Sequence, residues 1–110
     1  VRSLLKSVLK LTRTNRVALH FHDTRGTAIA NILASLDLGF RTFDTSIGGL
    51  GGCPYAPGAA GNVATEDVVY MLHEMGMSTG TDLKKLIKTT QWMNRQVGRQ
   101  LPSKLSLTGG

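Results

Sequence analysis

A single cysteine, Cys53, leaves no partner for an internal disulfide, so this is not a small disulfide-stapled scaffold, and the count alone fixes no compartment. No apolar run approaches the roughly 20 residues of a membrane-spanning helix. Low-complexity linkers are missing, and no internal repeat is evident beyond an alternation of strands and helices. Residues 1–16 contain no acid but carry Arg2, Lys6, Lys10, Arg13 and Arg16, a composition shared with mitochondrial presequences. The whole chain has 13 Lys and Arg against 7 Asp and Glu, a formal charge of +6 that would suit a polyanion. Its cations are scattered over helices and not interleaved with aromatics, which argues against nucleic acid. At 110 residues, 41% of them hydrophobic, the chain is at most one small globular domain.

What is present has the periodicity of an α/β protein. Leu4, Leu5, Val8 and Leu9 share one side of a helix over 2–13, with Lys6 and Lys10 opposite. Residues 17–21 read as a strand, followed by a helix capped by Thr27, with an apolar stripe of Ile29, Ile32, Leu33 and Leu36, that ends at Gly39. Phe40 to Ile47 reads as a second strand. A third helix, capped by Thr65, has Glu66 and Asp67 in its first turn, where carboxylates favour the positive helix end, and stops at Gly76. A last helix, capped by Thr81, runs from about Asp82 to Gln100 and is closed off by Pro102. Residues 1–100 thus form the domain and 101–110 read as a flexible tail. Strands alternating with helices imply a parallel sheet with helices outside, and in such folds ligands sit at the C-terminal strand ends.

Two clusters lie at those ends. In His20-Phe21-His22-Asp23 the period of two in a strand puts both imidazoles on one face, an arrangement suited to a metal; pairs of imidazoles serve zinc, copper, iron or manganese alike. The second cluster, Gly48 to Asn62, is rich in glycine around Cys53. A buried, inert thiol is the commoner fate of a cysteine, but Gly51 and Gly52 before it and Gly58 after it argue for an exposed loop. On its own chemistry Asn62, after Gly61, is a turn residue. Met71, Met75, Met77 and Met93 read as core, Trp92 as a packing or interface residue, and His73 carries no functional signal.

The runs His20-Phe21-His22-Asp23-Thr24-Arg25-Gly26, Phe43-Asp44-Thr45-Ser46-Ile47-Gly48-Gly49-Leu50-Gly51-Gly52-Cys53-Pro54-Tyr55-Ala56 and Gly61-Asn62-Val63-Ala64-Thr65-Glu66-Asp67 together resemble hydroxymethylglutaryl-CoA lyase, a metal-dependent TIM-barrel lyase. The resemblance covers essentially the whole chain. It implies the last βα units of a (β/α)8 barrel, which typically needs about 250 residues, so a chain beginning at Val1 is expected to be the C-terminal portion of a longer protein. Residues 1–16 then become a barrel helix rather than a presequence. The resemblance assigns His20, His22 and Asn62 as ligands of Mg²⁺ or Mn²⁺, Cys53 and His20 to proton transfer, and Gly49, Gly51 and Gly52 to the substrate loop. The reaction implied is retro-Claisen cleavage of 3-hydroxy-3-methylglutaryl-CoA to acetoacetate and acetyl-CoA, as in leucine breakdown and ketone-body formation.

The expected partners are an acyl-CoA, the N-terminal barrel segment and further copies of the full-length protein, in a mitochondrial matrix or bacterial cytoplasm, with neither nucleic acid nor membrane. The first-strand Asp of the family's metal site is absent from this chain; Asp23 and Asp44 read as supporting groups. Without an anionic ligand, two imidazoles and an amide should hold a hard cation weakly, and the fragment alone is expected to be inactive. The competing readings are a condensing relative of the homocitrate or isopropylmalate synthase type, which lacks the Gly-Gly-Cys-Pro-Tyr-Ala arrangement, and a non-catalytic partial barrel.

Overall fold

The shortest ladder in the chain sets its layout. In the computed structural model, which describes residues 1–51 and 61–108, strands β1 (Leu19–His20) and β2 (Phe43–Asp44) pair in parallel with Leu19 opposite Phe43 and His20 opposite Asp44. The Leu19 amide donates to the Thr42 carbonyl at 2.9 Å. Leu19 and Phe43 share one face and are half-buried, whereas His20 and Asp44 share the other and are exposed. All the apolar packing is therefore on one side. Among the described residues the sheet has these two strands only, so each keeps one edge unpaired. Both strands are shorter than the periodicity of 17–21 and 40–47 suggested, because ladder bonds need a neighbour and each strand has one.

Helix α1 (Arg2–Leu9) precedes β1 and is tied by Arg2 to Asp37 of α2 (Ala28–Asp37) through an exposed 2.8 Å ion pair. It ends four residues before the expected Arg13, and Leu11 is left 88% exposed beyond it. In α2 the buried residues are Ala28, Ile32, Ser35 and Leu36; Leu33 points outward, so the stripe is rotated toward Ala28. Its first turn is capped by Asp23, whose Oδ1 accepts from the Ala28 amide at 3.2 Å, not by the Thr27 side chain. Arg41 closes its other end, donating from Nη1 to the Leu36 and Phe40 carbonyls.

After the β2 strand a 3-10 turn (Ile47–Gly49) leads toward the glycine-rich stretch, and the chain returns at Gly61. The Ser46 amide donates to the Val63 carbonyl at 3.0 Å, setting the start of α3 (Thr65–Glu74) beside β2. Ala64 is the N-cap residue; the Thr65 hydroxyl, expected to cap, instead pairs with that of Thr45 at 2.7 Å. Ala28, Ile32, Leu36, Val63 and Val68 form the core, with Phe21, Phe43, Met71, Leu72 and Met77 packed around it. Helix α4 (Leu83–Val97) is capped by Asp82 rather than Thr81, and Gly98 ends it in the left-handed conformation, φ 72°. No helix among the described residues is long and apolar enough to cross a membrane.

The segment after α4 departs from the flexible tail expected over 101–110. Leu101 is fully buried, Ser103 and Leu105 are buried, and Lys104–Thr108 forms helix α5; residues 109–110 lie outside the described chain. Burial of a leucine such as Leu101 contributes about 2 kcal/mol, one part of what offsets the entropy lost in ordering a segment that lacks helical periodicity. Asp67 completes the attachment, its two carboxylate oxygens each accepting a 3.0 Å bond from the Lys104 and Leu105 amides. Asp67→Ala should therefore cost about 1 kcal/mol, the usual worth of a helix cap, and release α5. Protection of the Leu105 amide from hydrogen exchange measures it; unchanged protection would refute the latch.

Candidate active site

At the C-terminal end of β1 the His20 and His22 rings lie with centroids 5.1 Å apart and planes inclined at 71°. Both are exposed, and His20 lies on the sheet face opposite the half-buried Leu19 and Phe43. The alternation expected from the sequence holds there, with Phe21 turned to the core between them. The next residues join this strand end to the returning chain: His22 bridges Asn62, and the Asp23 amide donates to the Gly61 carbonyl at 2.9 Å. Asn62 is thus brought beside the histidine pair from 40 positions downstream in the chain, counting His22 to Asn62.

Asn62 is held from its other side as well. Its Nδ2 donates to the Leu50 carbonyl at 3.0 Å, and the Gly61 amide donates to the Gly51 carbonyl at 3.1 Å. A donating nitrogen fixes which way the amide is turned and leaves Oδ1 as the atom available to a ligand. Gly51 has φ 118°, and a Cβ there would stand 2.5 Å from Asn62 Nδ2, so only glycine permits this approach. Gly49 is buried beside Asn62 and Pro102. Gly52 and Cys53 lie outside the described residues.

The two nearby acids have separate positions. Asp23 is occupied in capping α2, and Asp44 is exposed, opposite His20 in the ladder. Among the described residues no three His, Cys, Asp or Glu side chains form a group that could hold a metal ion. The candidate donors are two imidazoles and one amide oxygen, which as a set would supply part of the shell of a divalent cation and no carboxylate to balance its charge.

This geometry can be set against known proteins. A family model described as HMGL-like matches residues 1–93. The chain belongs to the HMGL-like family. Within it, the hydroxymethylglutaryl-CoA lyase of Bacillus subtilis is 51% identical over 104 residues, covering 94% of this chain and 35% of that protein. The (R)-citramalyl-CoA lyase of Chloroflexus aurantiacus is 41% identical over 109 residues, covering 99% of this chain and 34% of that one. A crystal structure of the Bacillus subtilis HMG-CoA lyase superposes with a TM-score of 0.95 at 48% identity, over 99% of this chain and 37% of the other. A structure of an HMG-CoA lyase from Acinetobacter baumannii in complex with coenzyme A and 3-methylmalate gives 0.90 at 44% identity, over 98% and 35%. This HMGL-like chain thus spans about a third of the length of the relatives it matches, and its α/β fold is part of theirs.

One residue of the HMGL-like chain was read only as a helix-dipole acid. Glu66 is fully buried; its Oε1 accepts from the Gly48 amide at 2.9 Å and its Oε2 accepts from the Thr90 hydroxyl. It ties the start of the glycine-rich stretch to α3 and α4. The signal was available, since Glu66 stands three residues before buried Val69 and so lies on the apolar side of α3.

Proposed function

We propose that this chain is the C-terminal part of a hydroxymethylglutaryl-CoA lyase barrel, contributing its last two βα units and part of the metal and proton-transfer site. The observation that carries the reading is the convergence of His20, His22 and Asn62 at the C-terminal end of β1 in a chain about half identical to such a lyase. In the reaction the tertiary hydroxyl of 3-hydroxy-3-methylglutaryl-CoA loses its proton, the carbon-carbon bond to the thioester arm breaks, and acetoacetate leaves. The electron pair of that bond becomes the enolate of acetyl-CoA, which takes up one proton.

His20, His22 and Asn62 would hold Mg²⁺ or Mn²⁺, which supplies positive charge beside the oxygens where negative charge develops. His20, exposed at the strand end, is assigned proton exchange with substrate on the resemblance. Cys53 is assigned the proton for the enolate; it lies outside the described residues, and its role rests on the resemblance. The missing anionic ligand must come from the other two-thirds of a barrel, so the chain alone should bind metal weakly and turn over nothing. The soluble matrix or cytoplasm and a homo-oligomeric full-length protein complete the reading.

The deciding experiment combines this chain with the N-terminal two-thirds of the Bacillus subtilis relative and assays Mn²⁺-dependent cleavage of hydroxymethylglutaryl-CoA and citramalyl-CoA. Cleavage of the former, absent from either piece alone, is the expected result. Preference for citramalyl-CoA would reassign the substrate, and no cleavage of either by pieces shown to associate would leave a non-catalytic barrel segment.

A further inference from the structure

The turn that carries the Asn62 anchor is itself wedged from behind. Gly48 is buried with φ 63°, and a Cβ on it would meet Leu101 Cδ1 at 2.5 Å, Leu101 Cβ at 3.0 Å and Thr90 Cγ2 at 3.0 Å. Its amide points to Glu66, so the peptide is gripped by a hydrogen bond on one side and by an apolar side chain against Cα on the other. Pro102 lies against the next residue: a Cβ on Gly49 would stand 3.4 Å from its Cγ. Leu101 is in turn fixed to α4, its amide donating to Asn94 Oδ1 at 2.8 Å. One residue beyond the 3-10 turn, Leu50 presents the carbonyl that accepts from Asn62 Nδ2.

We infer that Leu101 is a positioning residue for Asn62: by filling the space over Gly48 it holds the Ile47–Gly49 turn and, through the Leu50 carbonyl, the Asn62 amide. The inference rests on the reading of Asn62 as a ligand. Leu101 touches neither metal nor substrate. It acts by excluding the neighbouring conformations that Gly48 and Gly49 would otherwise reach, since glycine has little intrinsic preference among them. The C-terminal segment is thereby part of the site, although it lies after the last barrel helix in the chain.

The test is paramagnetic broadening by Mn²⁺ in NMR spectra of the 110-residue chain, which reads weak occupancy and needs no turnover. In the unsubstituted chain the His20 and His22 ring signals and the Asn62 side-chain amide should all broaden. In Leu101→Ala the ring signals should still broaden, at about tenfold higher Mn²⁺, the size of losing a supporting contact at a metal site, while the effect at Asn62 falls relative to the rings. Exchange of the Asn62 side-chain protons should rise in step. Leu101→Val, which keeps more of the wedge, should fall between the two and serves if Leu101→Ala does not fold. Asn62 broadening unchanged in a folded variant overturns the positioning role. Ring broadening without Asn62 broadening in the unsubstituted chain removes Asn62 from the ligand set, and the inference with it.

Discussion

Glu66→Ala should lower the stability of this chain by about 3 kcal/mol. The substitution leaves the buried Gly48 amide without its acceptor, at roughly 1 to 3 kcal/mol, takes one of two acceptors from the Thr90 hydroxyl, which keeps the Leu86 carbonyl, and opens a cavity besides. Domains of this size are stable by roughly 5 to 15 kcal/mol, so the loss is a large fraction of the total and should move the unfolding midpoint clearly. Glu66→Gln keeps the volume and an oxygen for the Gly48 amide. Its nitrogen can donate to a reoriented Thr90 hydroxyl, so the cost should be about 1 kcal/mol. Urea midpoints of the three proteins measure the difference. A midpoint for Glu66→Ala equal to that of the unsubstituted chain would mean the buried carboxylate holds nothing, whatever its distances.

The second large effect separates the two histidines. In the barrel assembled with the N-terminal segment, His22→Ala should weaken Mn²⁺ by more than about 100-fold, beyond the 10- to 100-fold typical of residues that merely support a ligand. Turnover should recover substantially at saturating metal. His20→Ala should lose metal affinity comparably and, in addition, lack about 10²- to 10⁴-fold in turnover that no amount of Mn²⁺ restores, because a proton-transfer group is gone. Metal titration followed by kcat at saturation measures both. Equal kcat for the two variants at saturating Mn²⁺ would reduce His20 to a ligand.

Sequence reasoning reached the parts of this fold that repeat locally. The alternation Leu19, His20, Phe21, His22 dictated which side chains face the core, and the structure keeps it. Parallel pairing of the two strands followed from the helix between them. Asn62 entered the candidate site only by resemblance, because the bridge that brings it to His22 spans a stretch with no periodic pattern. The capping side chains, rather than the helix starts, depended on distant residues: Thr27 holds the N-cap position of α2 but Asp23 supplies the acceptor, and Thr65 turns its hydroxyl to Thr45. Glu66 was legible as an acid near a helix start, but its destination depends on Gly48 and Thr90, which propensity cannot see. The 101–108 segment was the largest departure. Its Leu-Pro-Ser-Lys-Leu composition has no strong local preference, and its order comes from a space that only the assembled core defines.

That last segment alters where this unit can be joined to other proteins. A chimera boundary placed at Gln100, where helical periodicity gives out, would discard the side chain occupying the space above Gly48 and the backbone that Asp67 grips. Fusion after Thr108, which is exposed, disturbs neither. A graft of this unit onto another scaffold therefore has to carry the chain through Thr108, not the alternating strands and helices alone.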